Sequence, residues 1–364
     1  MTIAFQTNQQ VTLFPPYHVA HFSSSSKAGL PLPRGPAFTF FSVRVITIRT
    51  MTEAILIPVA LTRCRSYRAE ELKSSLDLLL RAGGLLVRPG SVVLLKPNLV
   101  SAGSGPAHLA CTSPALVVAV AEWCIDQGAR VQVGDSPAFG SARSVMQACG
   151  MLDALAGLPV ELVNFDRYQW LDLPCGHRVP VAAAALECDL LLNLPRVKAH
   201  TQLYVSLAVK NYFGVVIGWR KALHHARHGD IANRFEALLA DLPALFPGSF
   251  TLVDGIVAME RAGPMQGEPF PLGLLAGGFD PVALDTAILE IIGGDPQRSQ
   301  LWVECQRRGL PGTDPARLSF PMMRPEELKV ENFLLPEELS PVTFHPGRIL
   351  VGGCRRLAAR ILPG

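Results

Sequence analysis

From Glu53 onward, short apolar runs of strand length alternate with stretches whose apolar residues recur at helical spacing. That alternation constrains the fold more than any other feature. Strands are expected at residues 54–60, 91–95, 130–133, 190–194, 250–253 and 272–276. Helices are expected at 69–82, 113–127, 141–149, 201–213, 230–242 and 281–292. Gly83-Gly84 and Gly128 stand where helices stop, and Ser113-Pro114 has the pattern of a helix start. Short apolar strands alternating with helices define an α/β fold with a mostly parallel or mixed sheet and helices on both faces. The layering is Rossmann-like, but no G-x-G-x-x-G fingerprint, P-loop or G-x-S-x-G elbow is present.

The flanks differ from this core. Met1 to Thr52 contains no Asp or Glu and carries Pro15-Pro16, a serine run at 23–26, and Pro31, Pro33 and Pro36. The segment is expected to be a disordered extension upstream of the true start at Met51, with a targeting segment as the rival reading. Residues 53–300 form the α/β domain, with a weak boundary signal at 150–166, and 301–364 form a C-terminal extension. Four arginines in that tail, Arg348, Arg355, Arg356 and Arg360, read as a solvated surface rather than a membrane contact.

Composition narrows the function classes. Apolar residues make up 49% of the 364, charged residues 17%, and the net charge is +3. This gives no electrostatic case for nucleic acid. The best apolar stretch, 114–125, is interrupted by Glu122 and falls short of the roughly 20 residues a membrane span needs. A cytoplasmic location is expected. The eight cysteines include no C-x-x-C pair, so they read as buried thiols in a reducing compartment.

Four apolar runs end in polar clusters: Lys96 and Asn98, Asp135 and Ser136, Lys198 and His200, and Asp254. In open α/β sheets ligands bind beyond the carboxyl ends of the strands, so parallel neighbours would bring these clusters to one edge. Each residue also has a plainer reading. Lys96 suits a solvated loop, Asn98 a turn, Asp135 a helix cap, and His200 a capping or packing role. Lys210-Asn211 interrupts the apolar helical stretch 207–216, where a lysine must reach outward or meet an acid. His224 and His228 have the i, i+4 spacing of a metal pair, but the neighbouring Arg220 and Lys221 favour a basic surface. Asp254, Glu260, Asp280 and Asp285 are hard oxygen donors that suit a divalent metal or, equally, ion pairs with the lysines.

These motifs together resemble the bacterial and archaeal domain-of-unknown-function family 362. The resemblance rests on Lys96-Pro97-Asn98-Leu99-Val100, Gly134-Asp135-Ser136-Pro137, and Lys198-Ala199-His200 with Val209-Lys210-Asn211-Tyr212-Phe213-Gly214. It continues through Asp254-Gly255-Ile256-Val257-Ala258-Met259-Glu260 with Gly263-Pro264, and Asp280-Pro281-Val282-Ala283 before Asp285. Members of that family are often described as iron–sulfur proteins, because many carry a ferredoxin-like module. This chain lacks the cysteine spacing of that module, so no iron–sulfur cluster is expected in it.

The expected function is an enzyme or binding protein for a small anionic substrate. Lys198, His200, Asp254 and Glu260 are the catalytic candidates, and Lys96, Asn98, Asp135, Ser136, Lys210 and Asn211 the binding candidates. Two alternatives stand beside it: a non-catalytic binding module, and a redox accessory protein working with a separate ferredoxin, which the family resemblance implies.

Overall fold

The computed structural model describes residues 56–101, 107–137, 140–217 and 233–340. Residues from Glu53 onward group into one compact unit. Its centre is a ten-stranded sheet. In chain order we label the strands β1 (Ala60–Arg63), β2 (Val92–Pro97), β3 (Arg130–Val133), β4 (Val160–Leu162), β5 (Leu190–Leu194), β6 (Arg196–His200), β7 (Tyr204–Ser206), β8 (Phe250–Glu260), β9 (Glu268–Phe270) and β10 (Leu274–Gly278). The order across the main path is β7-β6-β8-β5-β2-β3-β4, with β9 and β10 paired to β8, and β1 to β10. Strands β2, β3, β4, β5, β6 and β8 run parallel; β7, β9 and β10 are antiparallel to their neighbours.

The parallel strands are apolar because both faces are covered. Val93 and Leu95 of β2 point into one core cluster with Leu192 and Leu194, whereas Leu94 and Leu191 point into another, as the two-residue period of a strand requires. The first cluster is roofed by helices α1 (Ala69–Ala82) and α2 (Pro114–Asp126). Helix α1 buries Leu72, Leu76, Leu79 and Leu80 along one stripe, and α2 buries Leu116, Val117, Val120 and Cys124. Helix α3 (Ala142–Ala148) starts on a Ser141–Ser144 capping box. The opposite face holds α4 (Ala208–Asn211), α5 (Arg234–Asp241), α6 (Pro281–Ile291) and α7 (Gln300–Arg307).

Two expectations are corrected here. The stretch 201–213 is not one helix: it contains strand β7, then the single turn of α4, then a 3₁₀ turn, Tyr212–Val215. Its β7 half is fixed by antiparallel pairing with β6, a non-local interaction that helical periodicity does not report. The strand expected at 250–253 does not end at Asp254 but runs on to Glu260 as β8, which leaves β5 after Thr251 and continues beside β6. Among the described residues after 300, Leu301 and Cys305 enter one core cluster, and Leu318, Leu328 and Phe333 another. The weakly marked stretch 150–166 lies inside the compact unit, since β4 pairs with β3.

Candidate functional site

The carboxyl ends of β2 and β3, and the continuation of β5 into β6, bring several predicted residues together. Lys96, the fifth residue of β2, is fully buried, and its ammonium lies 2.7 Å from Oδ1 of the buried Asp135 just beyond β3. Oδ2 of Asp135 accepts the Leu99 N–H at 3.1 Å, so the carboxylate clasps the two strand ends. Burial lowers the Lys96 pKa, and Asp135 opposes the shift. Gly214 rests on this pair: a Cβ there would collide with both the carboxylate and the ammonium. The Gly214 carbonyl accepts the Ser136 N–H at 3.0 Å, tying the loop after β3 to the 3₁₀ turn.

Lys198 lies on β6 with 1% exposure. Its ammonium donates to the Asn98 side-chain oxygen and, at 2.7 Å, to the Ala110 carbonyl. Asn98 is itself fixed, its N–H donating to Thr112 Oγ1 at 2.7 Å while that hydroxyl donates to the Leu194 carbonyl at 2.6 Å. Burial brings the Lys198 pKa down to about 7, with the Arg196 charge pushing the same way. Lys210, on α4, is half-buried. Burial first, and repulsion from Lys198 second, lowers its pKa to about 7 as well. Among the described residues no carboxylate offsets that shift. Of the two expectations for Lys210, no acid of the described residues meets it, and its partial exposure accords with an outward reach.

Asn211 does not face this group. Its amide donates at 2.8 Å to Asn193, which in turn donates to the Ala208 carbonyl and Thr251 Oγ1. The polar break that Asn193 makes in its strand is thus the seat of α4. Nδ1 of His200 accepts the N–H groups of Gln202 and Leu203 at 3.1 and 3.2 Å, which assigns a neutral ring's proton to Nε2.

The carboxylates proposed as metal ligands are dispersed. Asp254 accepts the Tyr67 hydroxyl at 2.6 Å and the Ser113 N–H at 2.9 Å, joining the loop before α1 to the start of α2. Glu260 accepts the Leu334 N–H at 2.8 Å. Asp280 caps α6 through Val282 and Ala283. Asp285 accepts the N–H groups that open α4, Ala208 at 2.7 Å and Val209 at 3.4 Å, and burial raises its pKa to about 8. Among the described residues no three His, Cys, Asp or Glu side chains gather to hold a metal. Each of these four oxygen donors is instead satisfied by backbone or tyrosine donors close to it. His224 and His228 lie outside the described residues.

Two contributors were not singled out from sequence. Arg196, 4% exposed, donates to the Val257 carbonyl and to the Cys111 carbonyl at 2.8 Å each, and to the Tyr67 hydroxyl at 3.4 Å. Tyr67 is kept protonated by burial and by Asp254. Arg196 is adjacent to Pro195 at the β5–β6 break, which is the signal that marks it.

The fold and this edge define an α/β protein that gathers buried cations where parallel strands end. The chain belongs to domain-of-unknown-function family 362. Residues 93–290 match the family described as "Domain of unknown function (DUF362)". The chain is also 40% identical over 297 residues to the thylakoid-associated protein of Synechocystis sp., covering 80% of this chain and 92% of that relative. Solved structures with a distant likeness include the lactate racemase apoprotein from Thermoanaerobacterium thermosaccharolyticum. That likeness has a TM-score of 0.43 at 13% identity, over 64% of this chain and 57% of that one. A protein from Thermotoga maritima gives a TM-score of 0.36 at 13% identity, over 57% and 55%. These two likenesses carry no functional argument. Among the described residues no helix is long and apolar enough to cross a membrane.

Proposed function

We propose that the protein holds a small anion, a carboxylate or a phosphate, between Lys198 and Lys210. What supports this reading is Lys210: half-buried on α4, it makes no ion pair with a carboxylate of the described residues, and burial and the Lys198 charge both lower its pKa. A half-buried ammonium with no carboxylate beside it favours shedding its proton or acquiring an anion. Lys96 is already matched by Asp135, which leaves Lys198 and Lys210 as the pair with positive charge in excess. Asn98 orients Lys198 from one side, and Arg196 adds charge behind it.

A lysine whose pKa is near neutral can also exchange a proton with a bound ligand, so Lys198 is the residue we assign to acid–base chemistry if the ligand turns over. His200 is a positioning residue in this reading, because its Nδ1 is committed to backbone N–H groups. Calorimetric titration with sulfate and with malonate tests the site. The wild-type chain is expected to bind at least one of them, and Lys210→Ala to lose at least tenfold in affinity with an unchanged melting temperature. Equal binding by wild type and Lys210→Ala would contradict it.

A further inference from the structure

The Lys198 ammonium is a buried cation met by neutral oxygens. It donates to the Asn98 side chain and, at 2.7 Å, to the Ala110 carbonyl. An ammonium has donors only, so the Asn98 amide must turn its oxygen towards Lys198 and its NH2 group the other way. That contact depends on where Asn98 stands. Asn98 lies one residue past the end of β2, and the pairing of β2 with β5 stops at Pro97 opposite Leu194. The sheet ladder therefore does not hold it.

Thr112 does. It is fully buried, and its backbone and side chain both face Asn98. The Asn98 N–H donates to Thr112 Oγ1 at 2.7 Å, and the Thr112 N–H donates to the Asn98 carbonyl at 3.0 Å. A hydroxyl has one hydrogen, and that of Thr112 goes to the Leu194 carbonyl at 2.6 Å. A lone pair is thereby left for the Asn98 N–H. Leu194 ends β5, and the chain continues from it into β6, which carries Lys198. One hydroxyl thus ties the residue that accepts from Lys198 to the strand end that leads into the strand of Lys198. Ala110, the source of the second acceptor, stands two residues before Thr112 on the same segment.

We propose that Thr112 is a positioning residue of the anion site: its hydroxyl holds Asn98 where the amide oxygen meets the Lys198 ammonium, and so keeps that ammonium charged for the anion. The role rests on the anion-site reading above. Without the hydroxyl, the Asn98 N–H and the Leu194 carbonyl each lose a partner inside the fold, and the residues they anchor shift. Drawing an acceptor away from a buried ammonium disfavours its charged form. Lys198 then releases its proton at a lower pH, and anion binding fades at a lower pH with it. A hydroxyl that only braced the fold would change stability and leave the pH dependence of binding where it was.

Calorimetric titration of the full chain with sulfate from pH 6 to 9 tests the role. Thr112→Val keeps the shape of the side chain and removes the hydroxyl. It is expected to bind at least threefold more weakly at pH 7, with its profile moved down by about half a pH unit, the same threefold written as a protonation equilibrium. Asn98→Ala is expected to move the profile the same way. Thr112→Ser keeps the hydroxyl and is expected to bind within twofold of the wild type with an unmoved profile. In the Asn98→Ala background, Thr112→Val is expected to cost nothing further, because the residue it acts through is gone. Where Thr112→Val does not fold, Thr112→Cys, whose thiol donates and accepts weakly, carries the same prediction with a smaller shift. A Thr112→Val profile that is lowered without moving along the pH axis overturns the proposal. So does Thr112→Ser behaving as Thr112→Val does, or a Thr112→Val loss that persists undiminished without Asn98. A wild type that binds beside an unaffected Thr112→Val overturns the role of Thr112 alone. A wild type that binds neither sulfate nor malonate overturns the anion site, and the role with it.

Discussion

The Lys96 ammonium and the Asp135 carboxylate meet at 2.7 Å with both side chains withdrawn from solvent, and the bond closes the gap between the ends of β2 and β3. Removing one partner leaves an uncompensated buried charge, which typically destabilises by about 3–5 kcal/mol. Asp135→Asn is expected to lose stability in that range in urea unfolding. The double variant Lys96→Met/Asp135→Asn should recover part of the loss, because it removes the stranded ammonium. A double variant as unstable as the sum of the two single changes would show that the pair is not coupled.

Gly214→Ala tests the same pair from above. The added methyl has no room beside the ion pair, so the ammonium, the carboxylate or the 3₁₀ turn must move. Overpacking of this kind costs about 1–3 kcal/mol, or more where rigid groups oppose it. A lowered urea midpoint is expected, with reduced sulfate affinity because the same turn follows Lys210. A variant with wild-type midpoint and binding would contradict the packing described.

Asp285 provides a pH signature. Its folded-state pKa is raised to about 8, above the ordinary carboxyl value near 3.9, so the folded state binds more protons between those limits. Its contribution to stability is fully present below about pH 4 and is lost as pH rises through about 8. Asp285→Asn keeps an oxygen for the Ala208 and Val209 N–H groups and is expected to flatten that portion of the stability profile. Asp285→Ala, which leaves both donors without that oxygen, is expected to lose about 1–3 kcal/mol. Stability profiles from pH 4 to 9 for the three proteins decide the point.

Much of the architecture was legible in sequence because it rests on local signals. Helix α1 occupies the residues its apolar stripe and terminal glycines predict, and β3 and β5 occupy the runs that precede their polar clusters. Strand β8 was read too short because Asp254-Gly255 interrupts its apolar run, and its outer half is held by a new neighbour, β6. At the site, Lys96, Asn98 and Asp135 converge because β2 and β3 are parallel neighbours, which the repeated run-then-cluster pattern announces, whereas Lys198 reaches Asn98 from β6, which continues β5 and has two strands between it and β2. The carboxylates were harder to place. Asp254, Asp280 and Asp285 are of one residue type, but Asp254 joins two segments while Asp280 and Asp285 meet helix N-termini, and only their tertiary surroundings separate those roles. Arg196 was marked only by its place after Pro195 at the β5–β6 break, because the acceptors it meets, among them the Val257 and Cys111 carbonyls and the Tyr67 hydroxyl, come from distant parts of the chain.

The most direct test of the central claim is sulfate binding as a function of pH, since sulfate keeps a constant charge from pH 6 to 9. Lys198 and Lys210 each have a folded-state pKa of about 7, below the ordinary lysine value near 10.4. Without ligand, the unfolded chain therefore binds more protons between those limits, and their share of stability rises with pH across that window. Binding an anion reverses the preference and draws protons in. Sulfate affinity is expected to fall as pH rises through about 7, approaching tenfold per pH unit for each proton taken up. Lys210→Ala should bind weakly at every pH and show a shallower slope. A wild-type affinity that is flat from pH 6 to 9, or a Lys210→Ala profile that overlays it, would contradict the account.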